Sequence, residues 1–248
     1  MPKKWLLRQN NKDLSRDRIW VWSLPAWVVS IPGRGNINVC PSAGVCARLC
    51  YARTGTYRFS NVRAAHLRNL ELTFDLPLFE QCMRAELQHP RYHNGHVRLH
   101  DAGDFYSREY ALAWLRIARS APQVHLYAYT KEVALFKDLP PGSLPPNLDI
   151  VFSFGGRDDH RIEPGDRAAD VFHNRQAIDA AGYFDQAASD LLAVTGPPRV
   201  GMAANNIPHL LKQQGPHSFR QLQAEQDRQH AARLVRARQR ARRSADSA

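Results

Sequence analysis

The sequence predicts an α/β fold, a partial (β/α) barrel of mainly parallel strands with a basic helical C-terminal tail, and three observations predict it. β-Branched and aromatic runs alternate with helical patterns in the order strand, polar loop, helix. The residues able to do chemistry cluster where those runs end, the rim at which such sheets and barrels gather ligands. Three of the four cysteines fall between Cys40 and Cys50, in one such loop.

Taken in order, residues 1–18 form a polar, basic N-terminal arm. Ile19–Leu24 and Trp27–Ile31 read as two short strands, broken at Pro25 and closed by Pro32-Gly33, that lead into the cysteine loop. Helices are predicted over Ser60–Phe74, with Ser60 as N-cap, and over about Leu78–Gln88. His96–Leu99 is a strand ending in His100, Asp101, Gly103 and Asp104, and Ser107 caps the helix whose buried stripe holds Ala111, Trp114, Leu115 and Ala118. Val124–Thr130 is a third strand ending at Lys131, followed by a short helix over Val133–Leu139. Leu148–Ser153 runs to Gly155-Gly156, and Arg199–Ala203 forms a last strand. Residues 157–198 yield only loops and a helix end stopped by Gly182. The domain plan is therefore an arm over 1–18, an α/β body over 19–217 and a basic helical or disordered tail over 218–248.

Composition excludes several classes. An apolar fraction of 44% supports a real core, and no run of eighteen apolar residues suggests a membrane span. A cytoplasmic location follows as an expectation, and reduced thiols there argue against a disulfide framework. The net charge of +11 and a pI near 9.9 favour a polyanionic partner, with nucleic acid foremost. Residues 220–248 hold eight arginines against three acids, a net of +5, which leaves +6 on the rest.

The cysteine spacing, C-x5-C-x3-C, asks for a cation, because three thiolates in one short loop repel one another. A structural zinc takes four protein ligands, and Cys82 reads instead as a core residue sharing a helical face with Phe79, Met83 and Leu87. Three thiolates without a fourth suit a cubane cluster with one iron left open. His66 and His160 read as a packed and a solvated histidine.

On these residues the chain resembles the phage-associated family known as gene product eighty-eight. The matching pieces are Cys40–Ala52, Arg98–Tyr106, Tyr127–Lys131 and Phe152–Gly156. That family in turn resembles radical S-adenosylmethionine enzymes, most of which use C-x3-C-x2-C; both gaps are longer here. The resemblance implies that Cys40, Cys46 and Cys50 ligate a [4Fe-4S] cluster. Its open iron would take the amino and carboxylate groups of S-adenosyl-L-methionine, and an external electron donor would drive formation of a 5'-deoxyadenosyl radical. It places Gly103 and Asp104 at the methionine amino group, and Thr130, Ser153 and Gly155 at the cofactor, with Tyr51 or Tyr129 against adenine. His100, Tyr129 and Lys131 are the catalytic candidates. The alternative is a non-catalytic, metal- or cluster-stabilised protein that binds nucleic acid through its basic surface and Arg-rich tail. Substrate and oligomeric state are not legible.

Overall fold

The computed structural model describes residues 5–9 and 11–245. The first four residues of the arm and the last three of the tail lie outside these. The strands are β1 (Ile19–Trp22), β2 (Val28–Ile31), β3 (Gly35–Asn38), β4 (His96–Leu99), β5 (His125–Thr130), β6 (Leu148–Ser153), β7 (Ala168–Phe172), β8 (Phe184–Asp185) and β9 (Arg199–Ala203). Helices α1 (Lys12–Arg16), α2 (Cys46–Leu49), α3 (Ser60–Leu72), α4 (Leu76–Leu87) and α5 (Arg108–Arg119) are followed by α6 (Val133–Lys137), α7 (Arg175–Ala180), α8 (Leu192–Thr195), α9 (Pro208–Gln214) and α10 (Phe219–Ala245).

Seven strands form one parallel sheet in the order β1-β4-β5-β6-β7-β9-β8. The strand order follows the chain until β9 inserts between β7 and β8, as expected for successive crossovers that each add a neighbour. The mixed α/β architecture with a parallel sheet is the one the sequence predicts. None of the described helices is long and apolar enough to cross a membrane.

Strand alternation sorts the sheet into two faces. Trp20, Trp22, Val97, Leu99, Leu126, Ala128 and Phe152 point into the main core, which α3 to α6 cover with residues such as Leu70, Phe79, Met83, Trp114 and Phe136. Val21, Tyr127, Tyr129, Val151, Ala169 and Val200 point the other way, against Leu14 of α1 and Ala193 and Val194 of α8. Polar side chains break up this second face. Arg98 projects there and pairs with Asp190 at 3.2 Å and Asp101 at 3.6 Å.

Four expectations are corrected. The run Val28–Ile31 does not join the sheet; it pairs antiparallel with Gly35–Asn38, so a two-stranded hairpin separates β1 from the cysteine loop. The opening segment is not polar throughout: Leu7 and Leu14 in it are buried, and Arg8 bridges Val21. The Leu6 and Leu7 amides both donate to Glu86 Oε1, which ties the arm to α4. Cys82 is half-buried rather than a core residue. Residues 157–198, opaque in sequence, hold β7, α7, β8 and α8, elements of two to six residues that show too little periodicity to be read.

Candidate functional site at the carboxyl rim of the sheet

Parallel strands leave their carboxyl ends on one rim, and the cysteine loop is fastened there at four points. Gly155 O, just past β6, accepts from the amides of Gly44 (3.1 Å) and Cys46 (3.2 Å). Glu132, just past β5, accepts from Ser42 N at 2.9 Å and Ser42 Oγ at 2.8 Å. Past β4, the Asp104 amide donates to Val39 O at 2.9 Å. From α10, Gln223 Oε1 accepts from Val45 N at 2.8 Å. The positive φ of Gly155, 99°, turns its carbonyl towards the loop, and a Cβ there would lie 3.0 Å from Phe219 and 3.3 Å from Val45.

Within the loop Val39, Ala43, Val45 and Leu49 are buried, while Cys40, Cys46 and Cys50 are half-buried and free of disulfides. The three thiols sense one another. Burial pushes the Cys40 thiol well above its ordinary value, and Asp104, Cys46 and Cys50 push it further. Burial and Cys46 raise Cys50 to about 12. For Cys46 burial again dominates, with Lys131 acting in the opposite sense. Left to themselves these groups stay protonated, and a bound cation is what would ionise them. The Trp27 amide towards Cys40 and the Ala52 amide towards Cys50 act in the opposite sense and offset part of this rise. Among the described residues no three His, Cys, Asp or Glu side chains stand as a ready group for a single metal ion.

Asp104 is buried beneath the loop. Its Oδ1 accepts from Thr130 Oγ1 at 2.6 Å and Phe105 N at 2.8 Å, and its Oδ2 from Lys131 N at 2.9 Å. Thr130 Oγ1 in turn accepts from Glu132 N at 3.0 Å. The Lys131 ammonium is buried and donates to Ser153 O (3.0 Å), Ser153 Oγ (2.9 Å) and Phe154 O (2.8 Å). The rim residues Asp104, Thr130, Lys131 and Ser153 thus form one hydrogen-bonded network, with Gly155 bonded separately to the cysteine loop. Gly103, at φ 81°, has its Cα against Leu24, where a Cβ would approach to 2.6 Å.

Two candidates stand elsewhere. His100 is buried between Phe105 and Tyr110, its Nε2 2.9 Å from Tyr110 Oη, and burial lowers its pKa to about 3. Its ring packs into the main core, on Phe105 and Tyr110. Tyr129 lies on the opposite sheet face, its hydroxyl 3.2 Å from Asp190 Oδ1 and its ring 4.9 Å from the Arg98 guanidinium. Tyr51 links the loop to that network, because its hydroxyl donates to Asp101 O at 2.7 Å. Tyr57 donates to Asp101 Oδ2 at 2.5 Å.

Sequence reasoning missed three of the fastenings. Glu132 sat beyond the strand end that was read. Gln223 lay in a tail thought separate from the body. Asp159, taken as part of a solvated loop, accepts from Gly155 N at 2.8 Å and Gly156 N at 2.9 Å and so sets the carbonyl that holds the cysteine loop. An acidic residue three positions beyond a Gly-Gly pair was the available signal, since Asp commonly accepts from backbone amides in turns.

The model of the family described as Gene product 88 matches residues 5–238. The chain belongs to that family. Within it, the Gene 88 protein of Mycobacterium phage L5 is 35% identical over 105 residues, which cover 37% of this chain and 42% of the phage protein. The chain thus spans less than half the length of this curated relative. No solved structure matches it. Neither Gene product 88 nor Gene 88 protein is a name that states an activity, so the chemistry has to be argued from the rim itself.

Proposed function

We propose that this Gene product 88 protein is an iron–sulfur enzyme of the radical S-adenosylmethionine type, with Cys40, Cys46 and Cys50 as ligands of a [4Fe-4S] cluster. The observation that carries the reading is the set of three half-buried thiols, held in one loop that is fastened at the carboxyl rim of a parallel sheet. A lone zinc ion bonded at about 2.3 Å would draw three sulfurs to within about 4 Å of each other. A cluster puts each thiolate on a different iron and asks for a wider set.

When bound, S-adenosyl-L-methionine on the open iron would supply radical chemistry after one electron from an external donor. The chain's own share is placement. Gly103 lets backbone come close, and Asp104 offsets an ammonium while holding Thr130 and Lys131 in register. Ser153 and Gly155 present polar groups beside the loop, and Tyr51 offers a ring at its edge. Lys131, already committed to three oxygens, contributes positive potential near Cys46 rather than a mobile proton.

The test is anaerobic reconstitution with iron and sulfide. Wild-type protein and Cys82→Ala should each hold about four irons per chain, show a broad visible band that bleaches with dithionite, and release 5'-deoxyadenosine from S-adenosyl-L-methionine. Cys40→Ala, Cys46→Ala and Cys50→Ala should each lose the band. A colourless wild-type protein carrying one zinc would end this reading.

A further inference from the structure

Beyond Asp227 the last helix offers a surface of one charge sign, on a helix whose first turns are anchored at the candidate site. Helix α10 begins at the cysteine loop: Phe219 is buried with Val45 and Leu49, Leu222 packs beside them, and Gln223 is buried against the Val45 amide. Gly44 leaves room for this contact, because a Cβ would lie 1.9 Å from Gln223 Oε1 and the Gln223 side chain would have to shift. Beyond Asp227 the helix leaves the body. Arg228, Arg233, Arg236, Arg238 and Arg242 are all exposed, and residues 228–245 contain no acidic residue. Among the described residues only Arg228 of these has a carboxylate in range, Glu225 at 2.6 Å. At about 1.5 Å per residue the stretch from 224 to 242 is about 28 Å long.

Arginines three and four apart on one helix repel, so this segment carries a standing electrostatic cost that a polyanion would relieve. The anchoring turns of α10 carry Glu225 and Asp227 against Arg220, and the positive charge beside the cysteine loop comes from arginines of other elements. Arg48 on α2 reaches Gln226 at 3.4 Å, and Arg53, exposed, stands near Cys50. An acidic membrane surface would want an apolar face opposite the arginines, and the larger apolar residues of this stretch, Leu234 and Val235, are adjacent, interleaved with the arginines and form no stripe. Phosphodiesters match the guanidinium fork and the charge of this stretch.

We infer that α10, together with Arg48 and Arg53, is a nucleic-acid-binding track that leads along the helix to the cysteine loop, so that the substrate of that site is a nucleic acid or is carried on one. The substrate assignment rests on the proposed cluster chemistry, whereas the binding does not.

The experiment is fluorescence-anisotropy titration of the full chain with a labelled 30-base-pair duplex, the corresponding single-stranded DNA and the corresponding RNA, over about 50 to 300 mM salt. Wild type should bind at least one of the three with a steep salt slope, and competition among them identifies the preferred form. Changing Arg228, Arg233, Arg236, Arg238 and Arg242 together to Gln, which keeps helix propensity, should flatten the slope by about 3 to 4. The same five changed to Lys should restore it. Arg48→Gln with Arg53→Gln should remove a further 1 to 2, about one per lost phosphate contact. An unchanged slope in the five-Gln variant overturns the track, as does binding of anionic phosphatidylglycerol vesicles with none of any nucleic acid. An unchanged slope in the Arg48/Arg53 variant overturns its extension to the loop. Metal-free and iron-loaded protein are titrated in parallel, so loss of the cluster reading would leave the nucleic-acid result standing.

Discussion

At the scale of single residues, the rim shows how burial decides what a side chain is for. Asp104 and Lys131 stand at positions any reading of strand ends would select, yet each is occupied by partners within the chain, the carboxylate by three donors and the ammonium by three acceptors. They are positioning residues that hold β4, β5 and β6 together at the ends that face the cysteines. His100 makes the complementary case. Burial holds its folded-state pKa near 3, against 6.5 for an ordinary imidazole. The unfolded chain therefore binds more protons below pH 6.5, and His100 contributes stability that is present above 6.5 and is lost as pH falls towards 3. Glu132, raised to about 7, and Asp159, raised to about 6, tilt stability the other way over an overlapping range. They cancel when two proteins that both contain them are compared. Urea unfolding between pH 6.5 and 4 should accordingly show the wild type losing about 1.4 kcal/mol per pH unit more than His100→Gln. Parallel curves would mean that His100 is not kept neutral by its surroundings.

Elements differ in how far their own residues specify them. Helix α5 is read almost residue for residue, because Ser107 caps it by accepting from Tyr110 N at 3.2 Å and its apolar stripe is continuous. Helix α4 starts two residues earlier than its periodicity suggests, since Asp75 caps it and Pro77 lies in the first turn. Strand β2 shows the limit: an apolar run states that a segment is extended without stating which neighbour it pairs with. Close packing between elements is similarly silent until seen. Gly201 in β9 lies against Ile178 of α7, where a Cβ would come to 2.4 Å. Gly201→Ala should cost about 1 to 3 kcal/mol by overpacking, read as a drop in urea midpoint at constant slope. A neutral result would show that α7 can move away from the sheet without loss.

For the molecule as a whole, the first turns of α10 pack on the cysteine loop and the helix beyond Asp227 is exposed. Truncation separates the two parts of α10. Ending the chain after residue 227 removes only the exposed basic stretch and should leave the urea midpoint and iron content unchanged. Ending it after residue 217 also removes Phe219, Leu222 and Gln223 from the cysteine loop, and should cost about 3 kcal/mol or more on the scale of a buried aromatic. Equal midpoints in the two truncations would show that α10 does not brace the loop.

What the sequence by itself determined is the alternation of strands and helices, the rim on which polar residues gather, and the crowding of Cys40, Cys46 and Cys50. These are encoded locally, in periodicity, caps and spacing, and survive without knowledge of neighbours. Only the tertiary structure decided that Val28–Ile31 leaves the sheet, that His100 turns into the core, and that Glu132, Asp159 and Gln223 hold the loop. Each of those outcomes depends on groups far apart in the chain, Ser42 with Glu132 or Val45 with Gln223. Burial and pairing across such distances are properties of the folded whole, and a linear pattern does not carry them.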